Sequence, residues 1–211
     1  MMDDNAIVYI VDDDTAIREA LEGLFRSVSL KTVCFNKPRG FLETPIPSAP
    51  ACIVLDVRLP EMSGLEFQRE LLARDCKIPV IFVTGHGDIE MSVQAMKAGA
   101  VEFFTKPFRH QSLLESVQRA IEGDQARLTQ ERYVSNLRER FEMLTTRERE
   151  VMSVLVTGQL NKQIGATIGA TESTVKAHRT QIMRKMEANS LPELVRMADR
   201  LGVVEANMND M

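Results

Sequence analysis

Apolar residues in this 211-residue chain change their spacing twice, and the three regimes predict different architectures. Residues 6–11 (AIVYIV) form an unbroken, β-branched-rich run, the pattern of a strand buried on both faces of a parallel sheet. The pattern recurs at 51–55 (ACIVL) and 80–83 (VIFV), and more weakly at 31–35 and 101–104. Amphipathic stretches of helical length separate these runs, at 16–27, 65–73, 89–98 and 111–121. Five alternations of strand and helix predict a doubly wound α/β sheet with helices on both faces. Its ligand crevice belongs at the carboxyl ends of the strands.

From about 118 to 143 the sequence becomes Arg-, Glu- and Gln-rich, with scattered Leu128, Tyr133, Leu137 and Phe141. This predicts a helical connector, broken near Gly123-Asp124, which either only spaces two domains or also pairs with a second chain. Beyond Met143 every segment is short and helical in period. Thr145 with Glu148 fits a capping box, followed by a buried stripe of Val151, Val154 and Leu155 and a stop at Gly158. Asn161 is expected to cap a second helix with Ile164 and Ile168 inside, ending in a turn at Gly169-Ala170. Thr171 caps a third helix, and Ser190 with Glu193 forms a further capping box. Leu191, Leu194, Val195 and Ala198 share one face of that fourth helix. The expected domains are therefore 1–122, a linker 123–143, and 144–211.

No apolar run approaches the ~18 residues that would cross a bilayer. Asp3, Asp4, Asp12, Asp13 and Asp14 crowd the start, unlike a secretory signal, so a cytoplasmic protein without membrane contact is expected. Cys34, Cys52 and Cys76 show neither disulfide nor zinc spacing and are expected to act as small hydrophobes. The net charge of -4 is unevenly spread: residues 1–122 carry 13 basic against 18 acidic side chains, residues 144–211 carry 9 against 8. Two of those last acids, Glu205 and Asp210, lie in the tail, so the body of the C-terminal part is modestly basic, which permits DNA binding.

Asp12 and Asp13 end the first predicted strand, Asp56 the third, Thr84 the fourth, and Lys106 follows the fifth, before Pro107. A parallel sheet gathers all five at one edge. Three carboxylates there repel unless a cation offsets them, and a hard divalent ion with oxygen ligands, Mg²⁺, suits the set. Lys106 and the Thr84 hydroxyl can hold anionic oxygens, as phosphoryl transfer to a carboxylate requires. His86 and His110 have no ligand-spaced companions and are expected to be bystanders.

The segments 8–14 (VYIVDDD), 55–64 (LDVRLPEMSG), 83–88 (VTGHGD) and 103–108 (FFTKPF) closely resemble the receiver domains of two-component response regulators, over roughly the first 120 residues. The resemblance implies a flavodoxin-like five-stranded sheet of order 2-1-3-4-5, and Asp56 as acceptor of phosphate from a sensor histidine kinase. It implies Mg²⁺ on Asp13, Asp56 and the Arg58 carbonyl, with Asp12 acting through water. Thr84 and Lys106 would contact the phosphoryl oxygens, the Lys106-Pro107 bond would be cis, and Phe103 would be the aromatic switch that turns as Thr84 moves.

The C-terminal segments 144–151 (LTTREREV), 158–164 (GQLNKQI), 171–178 (TESTVKAH) and Lys185-Met186 resemble the LuxR-type helix-turn-helix of the FixJ/NarL family, with 182–202 most similar to the FixJ subgroup. Gly165 stands where many members carry alanine, and is expected to loosen the second helix slightly. On the third helix Val175, Ile182, Met183 and Met186 point inward, leaving Lys176, Ala177, Thr180 and Arg184 outward. The resemblance implies that Lys176, Ala177 and Thr180 read bases while Thr174, Arg179 and Lys162 meet phosphates. His178 is either packed or a DNA contact.

The expected protein is a transcription regulator, not an enzyme. It would dimerise when phosphorylated, bind promoter DNA and possess RNA polymerase as a further partner. Two alternatives stand beside it: an aspartate-nucleophile phosphatase built on Asp12-Asp13-Asp14, which Ala16 fits poorly, and a regulator whose receiver only scaffolds.

Overall fold

The computed structural model describes residues 5–85 and 89–203. Its chain divides into two compact units, Met1–Thr129 and Gln130–Met211. In the first, strands β1 (Ile7–Val11), β2 (Lys31–Phe35), β3 (Ala51–Leu55), β4 (Val80–Thr84) and β5 (Glu102–Thr105) form a parallel sheet of order β2-β1-β3-β4-β5. Helices α1 (Thr15–Arg26), α2 (Pro38–Leu42), α3 (Gly64–Ala73), α4 (Ile89–Lys97) and α5 (His110–Glu142) follow the strands in turn. The three strongest apolar runs occupy the three central positions and the two weaker ones the edges, since only a central strand is covered on every side. Side chains alternate between two cores: Val8, Ile10, Val54, Ile81 and Val83 pack with Leu21, Phe25, Leu113 and Val117 of α1 and α5, while Val11, Ile53, Leu55 and Phe82 pack with Phe67 and Leu71 of α3 and Ala95 of α4.

Helix α2 was not legible in the sequence. Five residues starting at proline are too few for a helical period, and its place is fixed by Phe41, buried edge-on against Tyr9 and Phe67.

The expected break at Gly123-Asp124 is absent: α5 runs unbroken through both residues. Gly123 is exposed and costs the helix only its intrinsic propensity, about 1 kcal/mol. Asp124 is buried, and it serves as an anchor for the helix on the sheet. Its Oδ2 accepts from the Ala51 N–H at the start of β3 (2.9 Å), and its Oδ1 accepts from Arg127 Nε (2.9 Å) and Nη2 (2.7 Å).

The second unit is all-helical. The last turns of α5 join α6 (Thr146–Leu155), α7 (Asn161–Ile168), α8 (Glu172–Met186) and α9 (Leu191–Arg200) around one core of Leu137, Leu144, Val151, Met152, Leu155, Ile164, Val175, Ile182, Met186 and Leu194. Leu137 and Phe141, expected to belong to a spacer or a pairing helix, pack instead inside this unit. The caps follow the sequence with two corrections. Thr145 and Glu148 form the expected box, and Thr171 Oγ1 accepts from Thr174 N–H. Asn161 is the first helical residue and not the cap: Leu160 precedes the helix, its N–H held by Gln163 Oε1 at 2.9 Å. At α9 Ser190 caps as expected, but Glu193 reaches the N–H of Asn189, one residue earlier than a capping box requires. Gly165 departs from expectation in a different way. It is buried under the turn into α8, and a Cβ there would lie 2.6 Å from the Ala170 carbonyl oxygen, so the glycine permits a close approach of backbone.

Removing the Asp124 carboxylate leaves the Ala51 N–H buried without an acceptor. Asp124→Ala is expected to destabilise the first unit by about 1–3 kcal/mol, read from its urea unfolding transition, and Asp124→Asn by less.

Candidate functional site

The register of the sheet builds the site. Val11 pairs with Leu55 across β1 and β3, so Asp12 and Asp56 leave the sheet side by side. Thr84 pairs with Thr105 across β4 and β5, so Lys106 emerges next to Thr84, whose carbonyl accepts the Lys106 N–H at 2.8 Å. All five predicted residues therefore meet at one rim. Asp12 and Thr84 are buried at 2% and 1% exposure, Asp56 and Lys106 are half-buried, and Asp13 is exposed. The Lys106-Pro107 bond is cis.

Lys106 Nζ donates to Asp12 Oδ2 at 2.8 Å and stands 3.6 Å from Asp56 Oδ2. Carboxylate oxygens of Asp12, Asp13 and Asp56 lie within 4.8 Å of one another. Among the described residues three carboxylates face one ammonium and leave the pocket net anionic, and an all-oxygen donor set of this charge fits a hard divalent cation such as Mg²⁺. Burial pushes the Asp12 carboxyl above its ordinary range, and Asp56 adds to the rise; the hydrogen bonds from Lys106 and the Asp14 N–H, with the charge of Lys106, oppose it.

The three consecutive aspartates have different neighbours. Asp12 faces inward, and Asp14 caps α1 by accepting from the N–H groups of Ala16 (2.8 Å) and Ile17 (3.4 Å). Asp13 lies between them, its carboxylate within the acidic cluster. Arg58 is exposed, and its N–H donates to Asp56 Oδ1 at 3.3 Å. Phe103 is half-buried against Phe82, ring centroids 5.8 Å apart. The motif residues Gly87 and Asp88, with His86, lie outside the described residues, as do Asp3, Asp4, Glu205 and Asp210. His110 begins α5 beside Phe108, away from any metal-type cluster among the described residues.

Two supporting features escaped the sequence reading. Gly64 opens α3 with its N–H on the Val57 carbonyl (2.8 Å), and a Cβ there would lie 2.2 Å from the Asp56 carbonyl oxygen, so only glycine lets the helix approach the Asp56 backbone so closely. Ser63 and Glu66 cap that helix with a full box. The signature Ser63-x-x-Glu66 matches the Thr145-x-x-Glu148 signature and was available in the sequence.

In the second unit α8 buries Val175, Ile182 and Met186 and exposes Thr174, Lys176, Ala177, Thr180 and Arg184; Met183, His178 and Arg179 are half-buried, and Lys162 is exposed on α7. Thr174 Oγ1 lies 2.7 Å from Thr171 Oγ1 within the cap, and Thr180 Oγ1 donates to the Lys176 carbonyl. The helix is held to α6 by Lys185, whose Nζ donates to Glu148 Oε2 (2.6 Å) and to the Met143 carbonyl (3.2 Å). Although burial works the other way, the bonds from Lys185 and Thr145 hold the Glu148 carboxyl below its ordinary range.

A carboxyl raised on folding contributes stability that is present below its unfolded pKa and lost as pH climbs through the folded value. In metal-free buffer Asp12→Asn is therefore expected to match the wild type near pH 3.8 and to become the more stable of the two as pH rises toward neutrality. Thermal melts along that pH series check it; a gap that closes with rising pH would contradict it.

The family "Response regulator receiver domain" matches residues 8–118, and "Bacterial regulatory proteins, luxR family" matches residues 142–198. The chain is 50% identical to Nodulation protein W of Bradyrhizobium diazoefficiens over 198 residues, covering 94% of this chain and 87% of that protein. It is 40% identical to the transcriptional regulatory protein FixJ of Azorhizobium caulinodans, covering 98% of each. Among solved structures the response regulator StyR is similar at TM-score 0.85 and 41% identity, over 93% of this chain and 99% of that one. With a five-stranded 2-1-3-4-5 receiver, a LuxR-type helical domain and relatives of this likeness along nearly its whole length, the chain belongs to the two-component response regulators of the FixJ and NodW type.

Proposed function

We propose that Asp56 is the residue phosphorylated by a sensor histidine kinase, and that this modification controls DNA binding by the second unit. The observation that carries the reading is the asymmetry among the acids: Asp12 is buried and bonded to Lys106, whereas Asp56 is half-buried with Lys106 3.6 Å away. An oxygen of Asp56 attacks phosphorus in line as the phosphorus–nitrogen bond of the kinase's phosphohistidine breaks. Lys106 and the Thr84 hydroxyl then bind the new anionic oxygens. Asp13, Asp56 and the Arg58 carbonyl would hold Mg²⁺, with Asp12 beside them, and the ion would supply neutralisation of the phosphoryl charge. Thr84 moves toward the phosphate, Phe103 turns into the space left, and the altered face pairs two receivers.

Residues 1–122 act as the phosphoacceptor domain, 123–143 as the connector, and 144–211 as the DNA-binding domain, in a cytoplasmic homodimer at promoters where RNA polymerase is a further partner. No described helix is long and apolar enough to cross a membrane. Lys176, Ala177 and Thr180 lie outward on α8 and read bases, while Thr174, Arg179 and Lys162 position the phosphate backbone.

Acetyl phosphate with Mg²⁺ is expected to add one phosphoryl mass, lost in Asp56→Asn, and to raise promoter occupancy in footprints of the wild type only. Modification on another residue, or equal occupancy in both states, would refute the reading. Within the DNA-binding unit, Lys176→Ala is expected to relax preference at one base position, at a discrimination of about 1–3 kcal/mol, whereas Lys162→Ala weakens all sequences alike and flattens the salt dependence.

A further inference from the structure

Beyond the residues that would touch metal or phosphate, one side chain supports the turn that carries the metal carboxylates. The last ladder bonds on either side of β1 are Asp56 N–H to the Val11 carbonyl (2.9 Å) and Asp12 N–H to the Phe35 carbonyl (3.2 Å). The carbonyl of Asp12 lies past the end of that ladder, where the chain swings away toward α1. It accepts instead from Arg18 Nη1 at 2.8 Å. The same guanidinium donates through Nη2 to Thr15 Oγ1, also at 2.8 Å, in the first turn of α1. A planar fork thus spans the turn from the strand side to the helix side, with Asp13 and Asp14 enclosed between its two anchors.

The other bonds of the turn are local. Asp14 N–H donates to Asp12 Oδ1 at 2.9 Å, and Asp14 caps the helix. The first closes a ring through the peptide between Asp12 and Asp13 but leaves the Asp12 carbonyl oxygen to another donor, and the orientation of that peptide sets where the exposed Asp13 carboxylate stands. Arg18 is the group that grips that peptide, through its carbonyl oxygen. Because the Asp12 and Asp13 carboxylates must converge with Asp56 to bind a cation, a loosened peptide here separates oxygens that now lie within 4.8 Å.

We infer that Arg18 is a positioning residue for the metal site, holding the β1–α1 turn so that Asp12 and Asp13 present their oxygens together. This rests on the reading of the acidic cluster as a Mg²⁺ site. Its sign separates it from simple electrostatics. A cation near the pocket repels Mg²⁺, so a role through charge alone predicts tighter binding when Arg18 is neutralised, whereas a positioning role predicts weaker binding.

The test is isothermal titration of the full chain with Mg²⁺ at fixed ionic strength, for the wild type, Arg18→Met and Arg18→Lys. Methionine keeps the aliphatic stem and the helix propensity while removing every donor, and is expected to weaken Mg²⁺ binding by about tenfold. Lysine can reach the Asp12 carbonyl but cannot fork to both anchors with a planar group, and is expected to fall between the two. Wild-type affinity or tighter binding in Arg18→Met overturns the inference. Melting in EDTA verifies folding; should the methionine variant fail to fold, Arg18→Lys decides, and an unaltered affinity there overturns the inference equally. Absence of Mg²⁺ binding by the wild type would instead overturn the metal-site reading on which it rests.

Discussion

The contact between Lys106 and Asp12 joins residues 94 apart in sequence at the rim of one sheet, and the first unit is organised around making it possible. Asp12 is almost wholly buried, and an isolated buried carboxylate is among the most unfavourable groups a fold can contain. Lys106 offsets part of that, and the N–H of Asp14 a further part. The remaining imbalance is visible in the raised Asp12 carboxyl and in the crowding of Asp13 and Asp56 behind a single ammonium. Satisfying this pocket fully with protein groups would have made a stable but inert rim. Leaving it anionic favours a cation there.

What holds the pocket in that state is backbone geometry. Parallel register puts Asp12 beside Asp56, and the glycine at 64 allows α3 to close over the Asp56 carbonyl, where even a methyl group would clash. The flanking cores on the two faces of the sheet keep the strands from shifting by one residue, since such a slip would exchange every side chain of one core for a neighbour shaped to pack in the other. Precision at the rim therefore derives from Val8, Ile10, Val54 and Leu55 as much as from the acids themselves.

The doubly wound parallel sheet and the convergence of Asp12, Asp13, Asp56, Thr84 and Lys106 were legible because both depend on patterns that run through the chain: apolar runs of strand length, and polar residues placed where those runs stop; the strand order came only from the resemblance to receiver domains. Asp124 was misread for the opposite reason. An aspartate after a glycine in a charged stretch has the local appearance of a helix end, and only the N–H of Ala51, 73 residues away in sequence, makes it an anchor. Arg18 was invisible on similar grounds, since an arginine at the start of an amphipathic helix looks like solvated surface until its guanidinium is seen on a carbonyl. Gly165 was legible as a glycine but not as a contact, because the Ala170 carbonyl that fills the place of its side chain is set by the turn and not by the helix.

The same distinction separates the two units. In the helical unit the caps at Thr145 and Thr171 and the buried stripe of α8 are local features, and each appeared where spacing placed it. The tie from Lys185 to Glu148 is not local, yet it uses a glutamate already committed to a cap. One carboxylate thereby closes the start of α6 and fixes the last turn of α8, so the orientation of the exposed face of α8 depends on a group that faces inward. The helix that presents Lys176, Ala177 and Thr180 outward is thereby held by a polar tie as well as by its buried Val175, Ile182 and Met186.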